Sequence, residues 1–354
     1  MTLTQRAHST HAWSEPLPSS NDHDHDRAFC DAALPEVSRT FALSIQLLPE
    51  HLRAPVQVAY LLCRIVDTIE DDPHLNLTTR RALFAHFDRL LGDDTRDAST
   101  FESAANDADL GLNDGERSLV RGAGAVFREY RALTGPRRDA IRPWVLEMSA
   151  GMRAFIEHAP DGQLEIDSIE DLERYCYYVA GTVGGLLTSL FALELDRPTN
   201  RTVPRLATRF GLGLQLVNIL KDVAEDAARG TVFLPREVLD AHDLDSDNLL
   251  DPDARCRALA AVRTVTERAR AHLVAANRYT LEWPAEAAHV RMFCAVPLGL
   301  AWATLREVER SPDTLRPGAT PKVSREVVGA VVAACQQAAG DDARLETLLH
   351  GWAA

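Results

Sequence analysis

Two acidic triplets with the same spacing constrain this chain more than any other feature of its sequence. The first lies in DTIED at 67–71 and the second in DVAED at 222–226, each at the end of an apolar segment. Acids at positions i, i+3 and i+4 share one face of a helix, where like charges repel one another. Two such helices can offset that repulsion by facing each other across a cavity and binding Mg²⁺, which prefers oxygen ligands. The residues assigned to the metal are Asp67, Glu70, Asp71, Asp222, Glu225 and Asp226.

The rest of the sequence is also helical in pattern. Apolar residues recur at three- and four-residue steps, and no run alternates in a way that predicts a strand. We therefore predict an all-α, single-domain bundle of ten or more helices at 27–345, after a disordered polar tail at 1–26. The predicted helices span 29–48, 55–71, 80–91, 115–133, 141–158, 169–193, 200–227, 235–241, 253–280, 284–308 and 323–338.

Charge narrows the possible ligands. The chain has 38 basic and 52 acidic residues, a formal charge of −14, which argues against nucleic acid as a partner. An acidic protein needs bound metal to hold a phosphate group, so two metal-binding triplets suit a diphosphate substrate. The metal would then stabilise charge as the bond to the diphosphate breaks, and apolar walls would shield the resulting cation.

One segment requires a membrane test. Residues 175–193 contain no charge and are long enough to span a bilayer. Tyrosines, hydroxyls and the glycines Gly181, Gly184 and Gly185 favour instead a buried helix in close contact with its neighbours. We expect no transmembrane span, since no other run is long enough. The six cysteines include no C-x-x-C pair, and those in apolar runs are expected to be buried thiols.

Four blocks of sequence resemble the squalene/phytoene synthase family, the head-to-head trans-prenyltransferases, over roughly residues 29–340. VSRTFALSI at 37–45 is similar to the family's SRSFA segment, and DTIED at 67–71 to its first Asp-rich motif. YCYYVAGTVG at 175–184 resembles the YCxxVAGxVG block, and QLVNILKDVAED at 215–226 the second Asp-rich motif. The blocks stand in the family's order, and FLP at 233–235 follows at the family's distance. The wording of the first and third blocks is nearest to the squalene synthases.

The resemblance implies a class I isoprenoid synthase fold with a central cavity. It implies Mg²⁺-dependent joining of two farnesyl diphosphates through presqualene diphosphate, followed by reduction with NADPH to squalene. Tyr175 corresponds to the family tyrosine that takes up the proton as the cyclopropane closes, and it joins Asp67, Asp71, Asp222 and Asp226 as a catalytic residue. The residues expected to bind substrate are Ser38, Arg39, Phe41, Tyr60, Arg64, Gln215, Asn218 and Lys221.

The sequence departs from the family pattern at two places. Lys221 stands where the family usually has arginine, which keeps the charge but loses the planar fork. Thr231 falls where an arginine is common, and Arg229 lies two residues earlier. These departures leave the diphosphate contacts of that loop open, whereas the reaction class is unaffected.

The product is the least constrained part of the interpretation. The tract Pro321–Arg325 resembles a segment that contacts the phosphate of NADPH in squalene synthases, which makes Lys322 and Arg325 the expected cofactor-binding residues. Alternatively, this tract is only the start of a helix that Ser324 caps, with no role in binding NADPH. Without reduction the product would be dehydrosqualene, phytoene or hydroxysqualene, and a C20 substrate stays open beside the C15 one. A non-catalytic helical protein that binds a prenyl lipid is the alternative of another class.

Location follows from the same reasoning. The chain opens without the apolar core of a secretory signal and ends in a polar HGWAA. We expect a cytoplasmic protein that contacts the inner face of the membrane only to release its product.

Overall fold

The computed structural model describes residues 20–111, 113–158, 164, 166–311 and 313–354. Within these ranges the chain is helical and contains no strand, which confirms the all-α prediction. The α-helices are α1 Ser20–Val37, α2 Arg39–Gln46, α3 Glu50–Asp71, α4 Leu77–Gly92, α5 Ser99–Asp107, α6 Asp114–Arg121, α7 Ala123–Ala132, α8 Gly135–His158, α9 Ile169–Cys176, α10 Thr182–Glu194, α11 Val203–Ala228, α12 Arg236–Asp240, α13 Arg255–Glu282, α14 Ala288–Arg310, α15 Arg325–Ala338 and α16 Asp342–Ala353.

The first helix begins within the segment predicted to be a disordered tail. Residues 20–26 belong to α1, and the buried carboxylate of Asp26 accepts two hydrogen bonds of 2.7 Å from Arg128 on α7. Such a paired, buried acid ties the helix start to the core, so the tail as predicted is too long. Residues 1–19 lie outside the described residues, and their disorder stays a prediction.

The sequence pattern predicts one helix at 29–48, but an N-cap at Ser38 divides it into two. Ser38 is extended, and its hydroxyl accepts a hydrogen bond of 3.2 Å from the backbone N–H of Phe41. This N-cap ends α1 at Val37 and begins α2 as a separate helix. The next helix, α3, begins at Glu50 rather than at Pro55. Because Pro55 has no N–H for the carbonyl of His51, that oxygen accepts a bond of 3.1 Å from Arg137 instead.

Two helices have no counterpart among the predicted ones. α5 is short and polar, yet it buries Phe101 and Ala105 completely. α16 buries Leu345 and Leu349 against α13, α14 and α15. The packed domain therefore extends to residue 353, beyond the predicted boundary at 345.

α11 runs through the centre of the bundle and packs against α9, α10, α13 and α14. Its contacts with α10 and with Ala180, just before α10, depend on glycine. A Cβ added to Gly211 would lie 2.1 Å from the carbonyl oxygen of Ala180, and one added to Gly184 would lie 2.2 Å from that of Ala207. The predicted close approach of helices at the glycine cluster is thereby confirmed.

Two helical segments are apolar and long enough to cross a membrane by composition, Ile169–Glu194 and Ala285–Arg310. The second contradicts the expectation that no other run is long enough. In each, more than half of the apolar window is buried inside the protein, as in core helices. The six cysteines are unpaired thiols, and those predicted to be buried (Cys63, Cys176, Cys294 and Cys335) are so.

Candidate active site

A central cavity of about 420 Å³ lies between α2, α3, α10, α11 and α14. Eight of the residues predicted from sequence line it together, although they come from positions 38 to 221. They are Ser38, Phe41, Tyr60, Arg64, Asp67, Gln215, Asn218 and Lys221. The side chain of Arg39 lies outside what the structure describes.

One side of this cavity is apolar and aromatic. The rings of Phe41 and Tyr60 stack with centroids 5.3 Å apart. Phe293 and Pro297 of α14 face the same space, together with Leu187 of α10. Sequence reasoning missed α14 as a wall, since an apolar helix with one internal proline is also typical of an ordinary core. Such a surface suits a hydrocarbon chain and, through the ring faces, a carbocation.

The first acidic triplet forms a compact cluster at the end of α3. Asp67, Glu70 and Asp71 each place a carboxylate oxygen within 4.8 Å of the others. Burial raises the pKa of all three groups. Burial and the charge of Asp67 together raise the pKa of Asp71 to about 7. The Asp71 side chain nevertheless lies at the solvent-facing rim of the cluster.

The donor set of this cluster fits a divalent cation. Glu70 Oε2 is buried and has no hydrogen-bond partner among the described residues. Three carboxylates that repel one another, with one oxygen unpaired, make a site where Mg²⁺ would replace the missing positive charge.

Cations surround the cluster on two sides. Arg64 donates one arm of its guanidinium to Asp67 and the other to Glu116 on α6. Arg80 on α4 donates to the carbonyl of Asp72, and its charge opposes the rise in the pKa of Glu70. Sequence reasoning missed Glu116 and Arg80, since no local spacing links either residue to α3.

The second triplet is arranged differently. Asp222 pairs with Lys221 at 2.9 Å, and Asp226 pairs with Arg229 at 2.5 Å. Among the described residues these acids form no three-carboxylate group like that of α3. Burial raises the pKa of Asp226, and Arg229 opposes this rise. Metal binding by Asp222 and Asp226 therefore stays a prediction.

The third member of that triplet, Glu225, bonds elsewhere. Its Oε1 accepts a hydrogen bond of 2.6 Å from the N–H of Gly318 and one of 3.2 Å from the hydroxyl of Thr320. The segment that it holds runs on to Lys322 and Arg325, both of which are exposed. The Ser324 hydroxyl accepts a bond of 3.3 Å from the N–H of Val327 and caps α15, as the alternative interpretation of this tract requires.

Tyr175, in the last turn of α9, lies in an aromatic setting beside the first cluster. Its ring centroid lies 5.5 Å from that of Phe155 and 5.3 Å from that of Phe233. Burial raises the pKa of Tyr175 well above its ordinary value, and the charges of Glu70 and Asp71 add to the rise. The phenol therefore stays protonated unless positive charge arrives at the carboxylates.

A π-helical turn, Tyr177–Gly181, begins two residues after Tyr175. The turn carries Val179 and Ala180, which line the central cavity. Turns of this kind occur mostly as single bulges within helices, often at functional sites. The sequence pattern predicts one continuous helix at 169–193 and gives no sign of the turn.

Comparison with solved structures defines the class first. TcSQS in complex with the ligand E5700 superimposes with a TM-score of 0.78 at 26% identity, over 93% of this chain and 90% of that one. A ligand-bound dehydrosqualene synthase shares the fold, with a TM-score of 0.60 at 22% identity, over 90% of this chain and 97% of that one. The fold is that of a class I isoprenoid synthase.

The family follows from the sequence. A family model described as squalene/phytoene synthase matches residues 34–327, and the chain belongs to this family. Squalene synthase of Schizosaccharomyces pombe is 32% identical over 81% of this chain and 60% of its own length. Squalene synthase BSS of Botryococcus braunii is 32% identical over 80% of this chain and 58% of its own. The chain thus spans about three fifths of these curated relatives.

Proposed function

We propose that this chain is a squalene synthase that joins two farnesyl diphosphates and reduces the product with NADPH. The observation that carries the proposal is one cavity in which the stacked pair Phe41–Tyr60 meets the cationic and acidic residues Arg64, Asp67 and Lys221. An apolar chain and an anionic head group each find a matching surface there. The curated relatives described above carry the same name.

In the first half of the reaction, one farnesyl diphosphate loses its diphosphate together with the bonding electron pair. Arg64, Lys221, Gln215 and Asn218 lie where they can bind diphosphate oxygens. The double bond of the second substrate attacks the allylic cation, and loss of a proton closes the cyclopropane of presqualene diphosphate. Tyr175 is proposed to relay that proton: its oxygen accepts the proton while its own hydroxyl proton passes to the departing diphosphate.

Asp67, Asp71, Asp222 and Asp226, supported by Glu70, are the residues that would hold Mg²⁺, and the ion would supply positive charge for the departing diphosphate. In the second half, presqualene diphosphate loses its diphosphate, and the rearranged cation would take a hydride from bound NADPH. Squalene, diphosphate and NADP⁺ result. Lys322 and Arg325 are the residues proposed to bind the phosphate of the nicotinamide cofactor.

The hydrocarbon product needs an apolar acceptor. We propose that the protein works in the cytoplasm and touches the inner face of a membrane only to release squalene.

The deciding experiment is incubation of the purified protein with farnesyl diphosphate and Mg²⁺, with and without NADPH, followed by mass spectrometry. Presqualene diphosphate without NADPH, and squalene with it, is the expected result. A C30 hydrocarbon or alcohol made equally well without NADPH would replace the reductive proposal by dehydrosqualene or hydroxysqualene synthesis. Binding without any turnover would indicate a prenyl-lipid-binding protein.

A further inference from the structure

Glu225 is oriented towards a distant segment rather than towards the first acidic cluster. We propose that Glu225 is a positioning residue that anchors segment 313–324 to α11, and that Thr320 completes this anchor in support of NADPH binding. The inference rests on the proposed function for the identity of the cofactor, although the anchor itself does not. It differs from the role of metal ligand expected of Glu225 from sequence.

The contact joins parts of the chain that are 93 and 95 residues apart. One carboxylate oxygen of Glu225 accepts from both Gly318 N–H and Thr320 Oγ1. Gly318 has φ of +81°, and a Cβ added there would meet nothing within 4 Å. The backbone conformation, rather than crowding, therefore accounts for glycine at this position, since a positive φ strains other residues.

The beginning of the segment is fixed separately. Thr314 Oγ1 donates to the carbonyls of Val308 and Ser311, and Leu315 is buried. Between Leu315 and the buried Pro321, residues 316–318 are exposed. Glu225 thus supplies the polar contact that holds this exposed part of the segment against the bundle.

The position of the anchor relates the segment to the cavity. Lys221 lines the cavity and lies four residues before Glu225 on α11, about 6 Å along the helix axis. Thr320 precedes Lys322 by two residues, at most about 7 Å of extended chain. Glu225 consequently ties the segment that carries Lys322 to the same helix that lines the cavity. Lys322 and Arg325 are exposed cations, a donor set that fits the phosphate of a dinucleotide.

Thr320→Val tests the anchor, because valine keeps the shape and removes the hydroxyl. Thr320→Ser keeps the hydroxyl, and Thr347→Val removes an exposed hydroxyl on α16 that bonds only its own helix. We expect Thr320→Val to weaken NADPH binding roughly three- to tenfold in a fluorescence titration. Presqualene diphosphate formation without NADPH should stay within about twofold of wild type. Thr320→Ser and Thr347→Val should resemble wild type in both assays.

Hydrogen exchange gives a readout that needs no turnover. The Gly318 amide should exchange faster in Glu225→Ala than in wild type, since its acceptor is gone, and slower in Glu225→Gln than in Glu225→Ala, because the amide oxygen can still accept. Faster exchange at Gly318 with unchanged NADPH affinity in both Thr320→Val and Glu225→Ala would overturn the link to the cofactor. Unchanged exchange in Glu225→Ala would overturn the anchor itself.

The metal-ligand alternative gives a different pattern. There, Glu225→Gln would raise the Mg²⁺ concentration needed for presqualene diphosphate formation, and Thr320→Val would change neither step. That outcome would overturn the proposal. A wild-type protein that makes no presqualene diphosphate would contradict the proposed function instead, and hydrogen exchange would still decide the anchor.

Discussion

Arg64 on α3 donates a hydrogen bond to Glu116 on α6, 52 residues further along the chain. The same guanidinium holds Asp67, so a single side chain bridges a carboxylate of the first acidic cluster and a carboxylate of another helix. Arg64 also lines the cavity, and Glu116 therefore determines where this cation stands before a diphosphate arrives.

Replacing Glu116 with glutamine should disturb Arg64 without removing its hydrogen-bond acceptor. Glutamine carries no charge, so Arg64 is held less firmly and turns further towards Asp67. We expect KM for farnesyl diphosphate to rise roughly three- to tenfold, with a smaller change in kcat. Steady-state kinetics measures both constants. Glu157→Gln, which alters an exposed pair with Arg81 at 3.1 Å, is the matched control and should leave them unchanged.

Alanine variants of single acids test metal binding by each of the two triplets. Asp67→Ala takes a carboxylate from the compact cluster and should lower presqualene diphosphate formation by about 10³-fold, a loss that excess Mg²⁺ does not restore. Asp222→Ala should have a similar effect if the second triplet also binds metal. Asp109→Ala alters an almost fully exposed acid and serves as control. Near wild-type rates in Asp67→Ala would show that the metal assignment is wrong.

Metal affinity should depend on pH. Burial and the charge of Asp67 raise the pKa of Asp71 to about 7, so this carboxyl binds a proton across the range in which Mg²⁺ competes for it. Lowering the pH from 7.5 to 6 should weaken divalent metal binding by up to about tenfold. Electron paramagnetic resonance of bound Mn²⁺ measures this directly. Equal affinity at both values would mean that Asp71 is ionised without metal.

The same raised pKa has a consequence for stability. Because the folded protein binds a proton at Asp71 that the unfolded chain has already lost, the metal-free protein gains stability as pH falls from about 7 towards 4. Other groups titrate in that range as well. A comparison of Asp71→Asn with wild type in urea therefore isolates the effect, which should be smaller in the variant.

Tyr175→Phe should remove a catalytic hydroxyl while keeping the ring contacts with Phe155 and Phe233. We expect the rate of presqualene diphosphate formation to fall about 10²- to 10³-fold with an unchanged circular dichroism spectrum. Tyr177→Phe is the control, since its hydroxyl donates to Glu147 away from the cavity. A Tyr175→Phe rate within a few fold of wild type would exclude this hydroxyl as the proton acceptor.

Glycine on α11, where this helix meets the π-helical turn before α10, should contribute to stability. Gly211→Ala would place a methyl group against the carbonyl of Ala180 and should lower the free energy of unfolding by about 2 kcal/mol or more. Gly329→Ala on α15 meets nothing within 4 Å and should raise it by about 0.5–1 kcal/mol, since alanine favours helices. Urea denaturation compares the two. A tolerated Gly211→Ala would mean that the helices can move apart without cost.

The sequence was sufficient to predict contacts between residues that lie within one or two turns of the same helix. The Asp67–Asp71 cluster follows from helical periodicity, whereas the placement of Gln215, Asn218 and Lys221 at the cavity follows from the resemblance to the family. Glu116 was not predictable, because its contact depends on how α6 packs against α3. The orientation of Glu225 was not predictable either, because its partners Gly318 and Thr320 lie in a distant segment, whereas the same spacing at Asp67, Glu70 and Asp71 does bring the carboxylates together.

The π-helical turn at Tyr177–Gly181 has a further consequence. A turn closed by i→i+5 bonds contains one residue more than an α-helical turn, which shifts the phase of everything beyond it by about 100°. Tyr175, before the turn, and the glycines of α10, after it, therefore follow two helical phases that differ by about 100°. Deletion of one residue from the turn would remove this offset. Either the Tyr175 side chain would then turn away from the acidic cluster, or the glycines of α10 would turn away from α11. The extra residue thus allows the Tyr175 side chain to face the acidic cluster while the glycines of α10 face α11.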